Sequence, residues 1–381
     1  MSCKSILGLA AFTCGPVLAL AGSGIVLNDD TSLHFTGVGQ VRYEDNVKLT
    51  EHNAQSDTVF SIIPGAELDY KGGQTNGQLT VSEDFERYAS KRDLDADLFT
   101  GIGELNYDGG MTKIDSRIGY RQMSQYSVSA RNADQSFRHD LLDASINGNW
   151  SATAKTSIGT GVMFDRTNYS TSGYADNQHI SLPLDVYYAV TPKVDLSVGY
   201  RYGDTWVQKL PVPAPAVPAN FDSTDHFFNV GARGEFTPKL KGQARVGYQL
   251  RDFVRGSSTS GLGLSGGLTY VYSPKTSFDL TVSNDFANSV LGNSQEVFAV
   301  RTGGKFEFTP QWSAQAGLSF EATKYANSTR KDDFFVGDMA LAYAVSDTVS
   351  LQGSYAYRTN SSNAGASFNS NLLSLGISLR Y

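Results

Sequence analysis

Long alternating segments are the feature that most restricts what this chain can become. In the run Val194, Leu196, Val198, Tyr200, Tyr202, every second residue is apolar or aromatic, while Asp195, Ser197, Gly199, Arg201 and Gly203 between them are polar or small. The same phase runs through Leu240, Ala244, Val246, Tyr248 and Leu250 against Lys241, Gln243, Arg245, Gln249 and Arg251. A period of two belongs to a strand with two unlike faces, not to a helix. Alternation alone fits a soluble sandwich as well as a barrel. Length separates them: these segments run about 12 to 15 residues, whereas strands of globular proteins mostly stop at about 5 or 6. A tilted strand needs about 9 to 11 residues to cross a bilayer.

The segments are joined by a repeated phrase. Thr191-Pro192-Lys193, Thr237-Pro238-Lys239, Ser273-Pro274-Lys275 and Thr309-Pro310-Gln311 have looser counterparts at Lys71-Gly72-Gly73, Asp108-Gly109-Gly110, Ser151-Ala152-Thr153 and Ser346-Asp347-Thr348. An aromatic precedes each turn: Tyr70, Tyr107, Trp150, Tyr188, Phe236, Tyr272, Phe308 and Tyr343. A second set follows about 12 to 15 residues later, at Phe85, Tyr120, Phe164, Tyr200, Tyr248, Phe286, Phe320 and Tyr355, so the two sets read as the two interface girdles of a membrane barrel. Closure is required, because an open sheet edge in lipid leaves backbone groups unpaired at several kcal/mol each.

Eight short turns alternate with polar stretches at 48–57, 91–95, 128–136, 170–177, 208–222, 254–260, 290–294, 328–332 and 362–367. The fold class expected is therefore all-β: a transmembrane antiparallel up-and-down barrel of about 18 strands, with short periplasmic turns and longer external loops. The loop Leu210 to Asn220, rich in proline, favours an extended polyproline course and reads as an exposed linker-like segment.

The start of the chain reads as a secretory signal over residues 1–21. Lys4 precedes the apolar run Ile6 to Leu20, and Ala19-Leu20-Ala21 is a small-x-small cleavage pattern, which leaves residues 22–381 as a single barrel domain. Both cysteines, Cys3 and Cys14, fall in the removed part, so no disulfide and no Cys-ligated metal is expected. The whole chain has 31 Lys and Arg against 38 Asp and Glu. Loss of Lys4 brings the net charge to about −8, which does not suit nucleic acid.

The last residues, "SLGISLRY", are similar to the carboxy-terminal signal of bacterial outer-membrane barrel proteins, with Ser374, Gly376, Leu379 and Tyr381 in the places of its pattern. Leu379 is aliphatic where many members carry an aromatic. The resemblance implies the barrel-assembly machinery as a partner, outer-membrane lipid and lipopolysaccharide as surroundings, and the outer membrane of a Gram-negative bacterium as the location.

A barrel of 16 to 18 strands leaves a water channel unless something plugs it, and only about ten residues lie between the cleavage site and the first strand. A pore is the default reading. Alternation turns the basic residues Arg201, Arg233, Lys241, Arg245 and Arg251 inward on neighbouring strands, and the acidic residues Glu44, Glu67, Asp69, Asp84 and Glu86 inward on the first three. Facing each other across the lumen, the two groups would set up a transverse field able to orient polar or charged solutes. The plainer reading is that they keep the lumen wet. His34, His52, His139, His179 and His226 sit in no triad or metal-ligand spacing. The best acid–base pair, His139-Asp140, reads as a hydrated loop-edge pair, so no catalytic residue, metal or other cofactor is expected.

"VRYEDNV", residues 41 to 47, resembles the Tyr-x-Asp-Asn-hydrophobic opening of the outer-membrane barrel porin family encoded with exopolysaccharide synthesis genes, and "VGYRYGD" and "SFNSNLLSLGISLRY" fit its style. Glu44 stands where members often carry aspartate. The resemblance implies passage of a secreted polysaccharide, its fragments or small solutes, and exopolysaccharide export components as partners. Two alternatives stand beside this pore: a closed barrel serving as anchor or assembly partner of a polysaccharide-synthesis complex, and, less favoured, a barrel enzyme.

Overall fold

The structure, a computed structural model of the 381-residue chain, describes residues 24–125, 137–210, 221–326, 328–365 and 367–381. The expected signal segment with its two cysteines lies outside the described residues, as do 211–220 of the proline-rich loop. The described chain is almost entirely strand: β1 (Ile25–Asn28), β2 (Thr31–Glu44), β3 (Asp57–Gly72), β4 (Thr75–Tyr88), β5 (Ala96–Asp108), β6 (Thr112–Gln125), β7 (Phe137–Ser151), β8 (Thr156–Tyr169), β9 (Asn177–Thr191), β10 (Val194–Val207), β11 (Ser223–Thr237), β12 (Leu240–Phe253), β13 (Thr259–Ser273), β14 (Thr276–Asn288), β15 (Ser294–Glu307), β16 (Trp312–Tyr325), β17 (Lys331–Ala344), β18 (Val349–Ser362) and β19 (Phe368–Arg380). A single 3-10 turn, Arg92–Leu94, stands between β4 and β5. No helix among the described residues is long and apolar enough to cross a membrane.

Each of β2 to β19 pairs antiparallel with its sequence neighbours, and β19 returns to β2, from Leu372 opposite Glu44 to Arg380 opposite Thr36. That return closes an eighteen-stranded barrel. Tyr381 extends the seam by exchanging two backbone hydrogen bonds with Phe35, each of 2.9 Å. Beyond the end of β19, short β1 takes over as the neighbour of β2, with Ile25 opposite Leu33. This nineteenth strand adds to the eighteen expected; it lies outside the ring.

The repeated phrase has a local cause. In the Thr-Pro-Lys turns the threonine hydroxyl accepts backbone hydrogen bonds from residues two and three ahead: Thr191 from Lys193 (3.2 Å) and Val194 (3.0 Å), and Thr237 from Lys239 (3.3 Å) and Leu240 (3.0 Å). Thr309 does the same with Gln311 and Trp312. The side chain thus caps donors that a two-residue turn leaves free, and the proline presets φ at a position where no donor is needed. In the turn between β7 and β8 the capping hydroxyl is that of Thr153, while Ser151 still belongs to β7. The glycine turns use backbone freedom instead, with Gly73 and Gly110 at φ of 56° and 79°.

The barrel is polar inside and apolar outside. Of its seven largest fully buried side chains, five are polar, led by Arg251 and Gln249, whereas Val198 and Leu375 on the outer face are two-thirds exposed. An outer band of this kind is stabilised by lipid, not by a packed core. Replacing Leu375 by arginine near the middle of β19 is expected to destabilise the barrel in lipid by about 2–4 kcal/mol, read by urea titration in vesicles, while Ser374→Arg on the inner face costs less.

The aromatic girdles hold with one exception. Tyr70, Tyr107, Trp150, Tyr188, Tyr272 and Phe308 are exposed on the turn side, and Phe85, Tyr248 and Phe320 are exposed on the loop side. Phe286, expected among the latter, is buried. The reason lies in the sheet: pairing between β13 and β14 stops at Leu264 opposite Asn284, and above that point β14 leaves its neighbour and leans into the barrel.

Candidate pore wall

Three neighbouring strands, β10 to β12, carry the five basic residues singled out from the sequence, and all five share the inner face. The proof of facing is reach. Arg233 on β11 donates to Asn149 on β7 (3.1 Å) and to Ser157 on β8 (2.9 Å), chords that only the concave side allows. Its guanidinium also lies over the Tyr187 ring, 3.4 Å from the centroid. Arg245 on β12 reaches β9, donating to the Tyr187 hydroxyl (2.7 Å) and to Asp185 (3.0 Å).

Small residues make that flat packing feasible. A Cβ at Gly199 would stand 2.0 Å from an Asp185 carboxylate oxygen, and one at Gly231 would stand 2.9 Å from the Arg245 side chain. Glycine at these two places lets the long side chains of β9 and β12 lie across the intervening strands.

Each arginine of the group finds a carboxylate nearby. Arg201 pairs with Asp285 at 2.6 Å, Arg233 with Asp195 at 2.9 Å, Arg245 with Asp185 at 3.0 Å and Arg251 with Asp225 at 2.6 Å. Lys241 stands opposite Glu235 in the ladder. The acidic residues of β2 to β4 are treated alike: Glu44 pairs with Arg358, Glu67 and Asp69 share Arg380 at 2.7 and 3.3 Å, and Glu86 takes Arg42 at 3.1 Å. Asp84 forms no ion pair of its own among the described residues. These pairs act as short local dipoles, since paired opposite charges cancel within a few ångströms while lone ones act over a Debye length of about 8–10 Å.

The partners Asp185, Asp225, Asp285 and Arg358 were not among the sequence candidates. Their strand phase put them on the inner face, so a signal existed, but pairing needs the register, between adjacent strands for Asp225 and between strands two to four apart for the others. Ser374, Gly376, Leu379 and Tyr381 all sit on β19 or its end, with Ser374 inward and hydrogen bonded to Ser354, and Leu379 and Tyr381 exposed outward. His139 and Asp140, adjacent on a strand, point to opposite faces, and the His139 ring packs on Tyr169 at 5.4 Å. No group of three or more metal-ligating side chains occurs among the described residues.

The inward-leaning end of β14 and β15 shapes the mouth. Arg251, 2% exposed, gives two hydrogen bonds to Asp225 and three to this hairpin: Ala287 carbonyl (3.0 Å), Asn288 side chain (3.0 Å) and Ser294 hydroxyl (2.9 Å). It also stacks over Phe286 at 5.0 Å. Farther along, the Val290 carbonyl accepts from the Ala175 amide between β8 and β9 at 2.9 Å, so residues 289–293 reach strands far around the ring from their own. Gly292 enters this contact at φ 82°, beside Val207.

The family model described as Putative beta-barrel porin 2 matches residues 38–381. Similar solved structures include OccK2 (OpdF) of Pseudomonas aeruginosa in complex with glucuronate, at 10% identity, 94% of this chain, 99% of that chain and a TM-score of 0.47. The outer membrane protein opdK of Pseudomonas aeruginosa matches at 9%, over 92% and 99%, with 0.46. The FrpB iron transporter of Neisseria meningitidis, F5-1 variant, matches at 9%, over 94% and 83%, with 0.49. A search of curated proteins finds no significant match. The eighteen-stranded ring with a polar inner wall is thus spanned almost end to end by one family model, and the chain belongs to the putative beta-barrel porin 2 family.

Proposed function

We propose that this outer-membrane barrel is a transport pore for polar solutes, and that its cargo is a secreted polysaccharide or fragments of one. The observation that supports this reading is the inner wall: arginine–carboxylate pairs, glutamine, asparagine and hydroxyl groups run along it from β2 to β19, a lining that hydrogen bonds to sugar hydroxyls as readily as to water. Local charge pairing suits an uncharged hydrated chain better than a strongly selected ion. In this reading lipopolysaccharide and lipid surround the outer face, the barrel-assembly machinery reads the β19 end, export components meet the turn side, and the protein carries no catalytic step.

Single-channel conductance of the refolded protein in a planar bilayer tests it. Steady conductance with weak ion selectivity, interrupted by oligosaccharide added to one side, is the expected result. A correctly folded barrel that never conducts would sink the pore. The second reading, a closed barrel acting as anchor or assembly partner, is favoured by one observation, the β14–β15 end folded inward across the mouth.

A further inference from the structure

On the inner wall a few strands from the arginine group, one row of the ladder carries an unusual set of neighbours. Asp279 on β14 stands opposite Gly303 on β15, Gly303 opposite Gly317 on β16, and Gly317 opposite Asp338 on β17. Two carboxylates thus flank a floor of two glycines. One row towards the loops, Arg301 faces Thr281; on the turn side, Lys305 faces Gln315. Asp279, Thr281, Arg301, Gly303, Lys305, Gln315 and Asp338 line a recess of about 220 Å³.

Two oxygens of this recess are under-used. Thr281 Oγ1 and Asp338 Oδ1 are buried without a hydrogen-bond partner. The guanidinium nearest to Asp338, that of Arg301, stays at 3.5 Å, beyond good hydrogen-bond distance. Leaving a buried acceptor unsatisfied is costly, and each such group in a native wall calls for a partner. Asp279 already accepts from Thr269 at 2.6 Å and keeps its other oxygen for a further donor. The floor is open at Gly303, where a Cβ would meet nothing nearer than 3.6 Å, while the Asp338 carboxylate lies over Gly317, 2.9 Å from where a Cβ would stand.

The geometry points to a sugar-binding subsite here, taking one uncharged pyranose unit. Two carboxylates accept from hydroxyls, Arg301, Lys305 and Gln315 donate to them, and a hydroxyl is the group that can serve both. Two cations against two anions leave no net charge to select an acidic ring. Weak attachment of successive units is what a pore needs, since a site must be entered and left. This assignment deepens the polysaccharide reading and rests on the lumen being traversed.

Saturation-transfer NMR on the detergent-folded barrel with maltotriose as probe tests the subsite without requiring conduction, and bilayer conductance with the same sugar runs beside it. Transfer to maltotriose is expected, reduced at least fivefold by Gly303→Leu, which fills the floor, and by Asp338→Asn, and unchanged by Val198→Ala on the outer face. Heat-modifiable migration on gels identifies folded variants; if Gly303→Leu fails to fold, Asp338→Asn and Thr281→Val decide. Binding lost in those variants while the wild type conducts no ions upholds the subsite and overturns the pore. No transfer in the wild type, transfer indifferent to these variants, or a preference for glucuronate over maltotriose would each overturn the assignment.

Discussion

Arg251→Gln is expected to raise single-channel conductance at least twofold and to make residues 285–295 a site of protease cleavage in the folded barrel. The argument is one of connectivity. This buried guanidinium holds Asp225 with two hydrogen bonds and the β14–β15 end with three, so its loss detaches the hairpin and strands a buried carboxylate at once. Removing one partner of a buried pair costs about 3–5 kcal/mol. The hairpin keeps its Arg201–Asp285 pair and the Ala175–Val290 hydrogen bond, so Arg251→Gln combined with Asp285→Asn is expected to widen the mouth further. Conductance and protease pattern both unchanged in the folded Arg251→Gln protein would refute the role of Arg251 as the tie of this hairpin.

Deleting Leu372–Tyr381 is expected to abolish the folded barrel altogether. The nine residues of β19 that face β2 are the closing ladder, and without them β2 and β18 present open edges to lipid. Each unpaired backbone group there costs several kcal/mol, a sum no single outer-face substitution approaches. The measurement is heat-modifiable migration after refolding into vesicles. A truncated chain that still migrates as a compact, protease-resistant species would mean that β18 can close directly on β2, and that closure does not depend on β19.

The ring was legible because its rule is local. Alternation with a period of two, as in Val194 to Tyr202, and hydroxyl-capped turns, as at Thr191, are written in neighbouring residues, and together they fix strand number, direction and facing. The inward charges were legible for the same reason. What they pair with was not: Arg245 reaches Asp185 across two intervening strands, a match set by register and by the small volumes of Gly199 and Gly231. Phe286 shows the other limit. Its phase and spacing match the girdle, yet β14 parts from β13 just below it, and nothing in the alternation marks where two strands separate.

The hydroxyl-capped turns have a kinetic consequence. Each closes within four residues and needs no help from the rest of the chain, so hairpins such as β9–β10 and β11–β12 can form early, at small loop-closure cost. Sequential zippering then adds neighbour to neighbour, and the contacts stay short in sequence. Among the strand pairings of the described residues one breaks this rule, that of β2 with β19, whose partners Glu44 and Leu372 stand far apart in sequence. Assembly therefore separates into many fast local events and one slow global one, and the slow one sets how long two sticky borders remain available to the wrong partner.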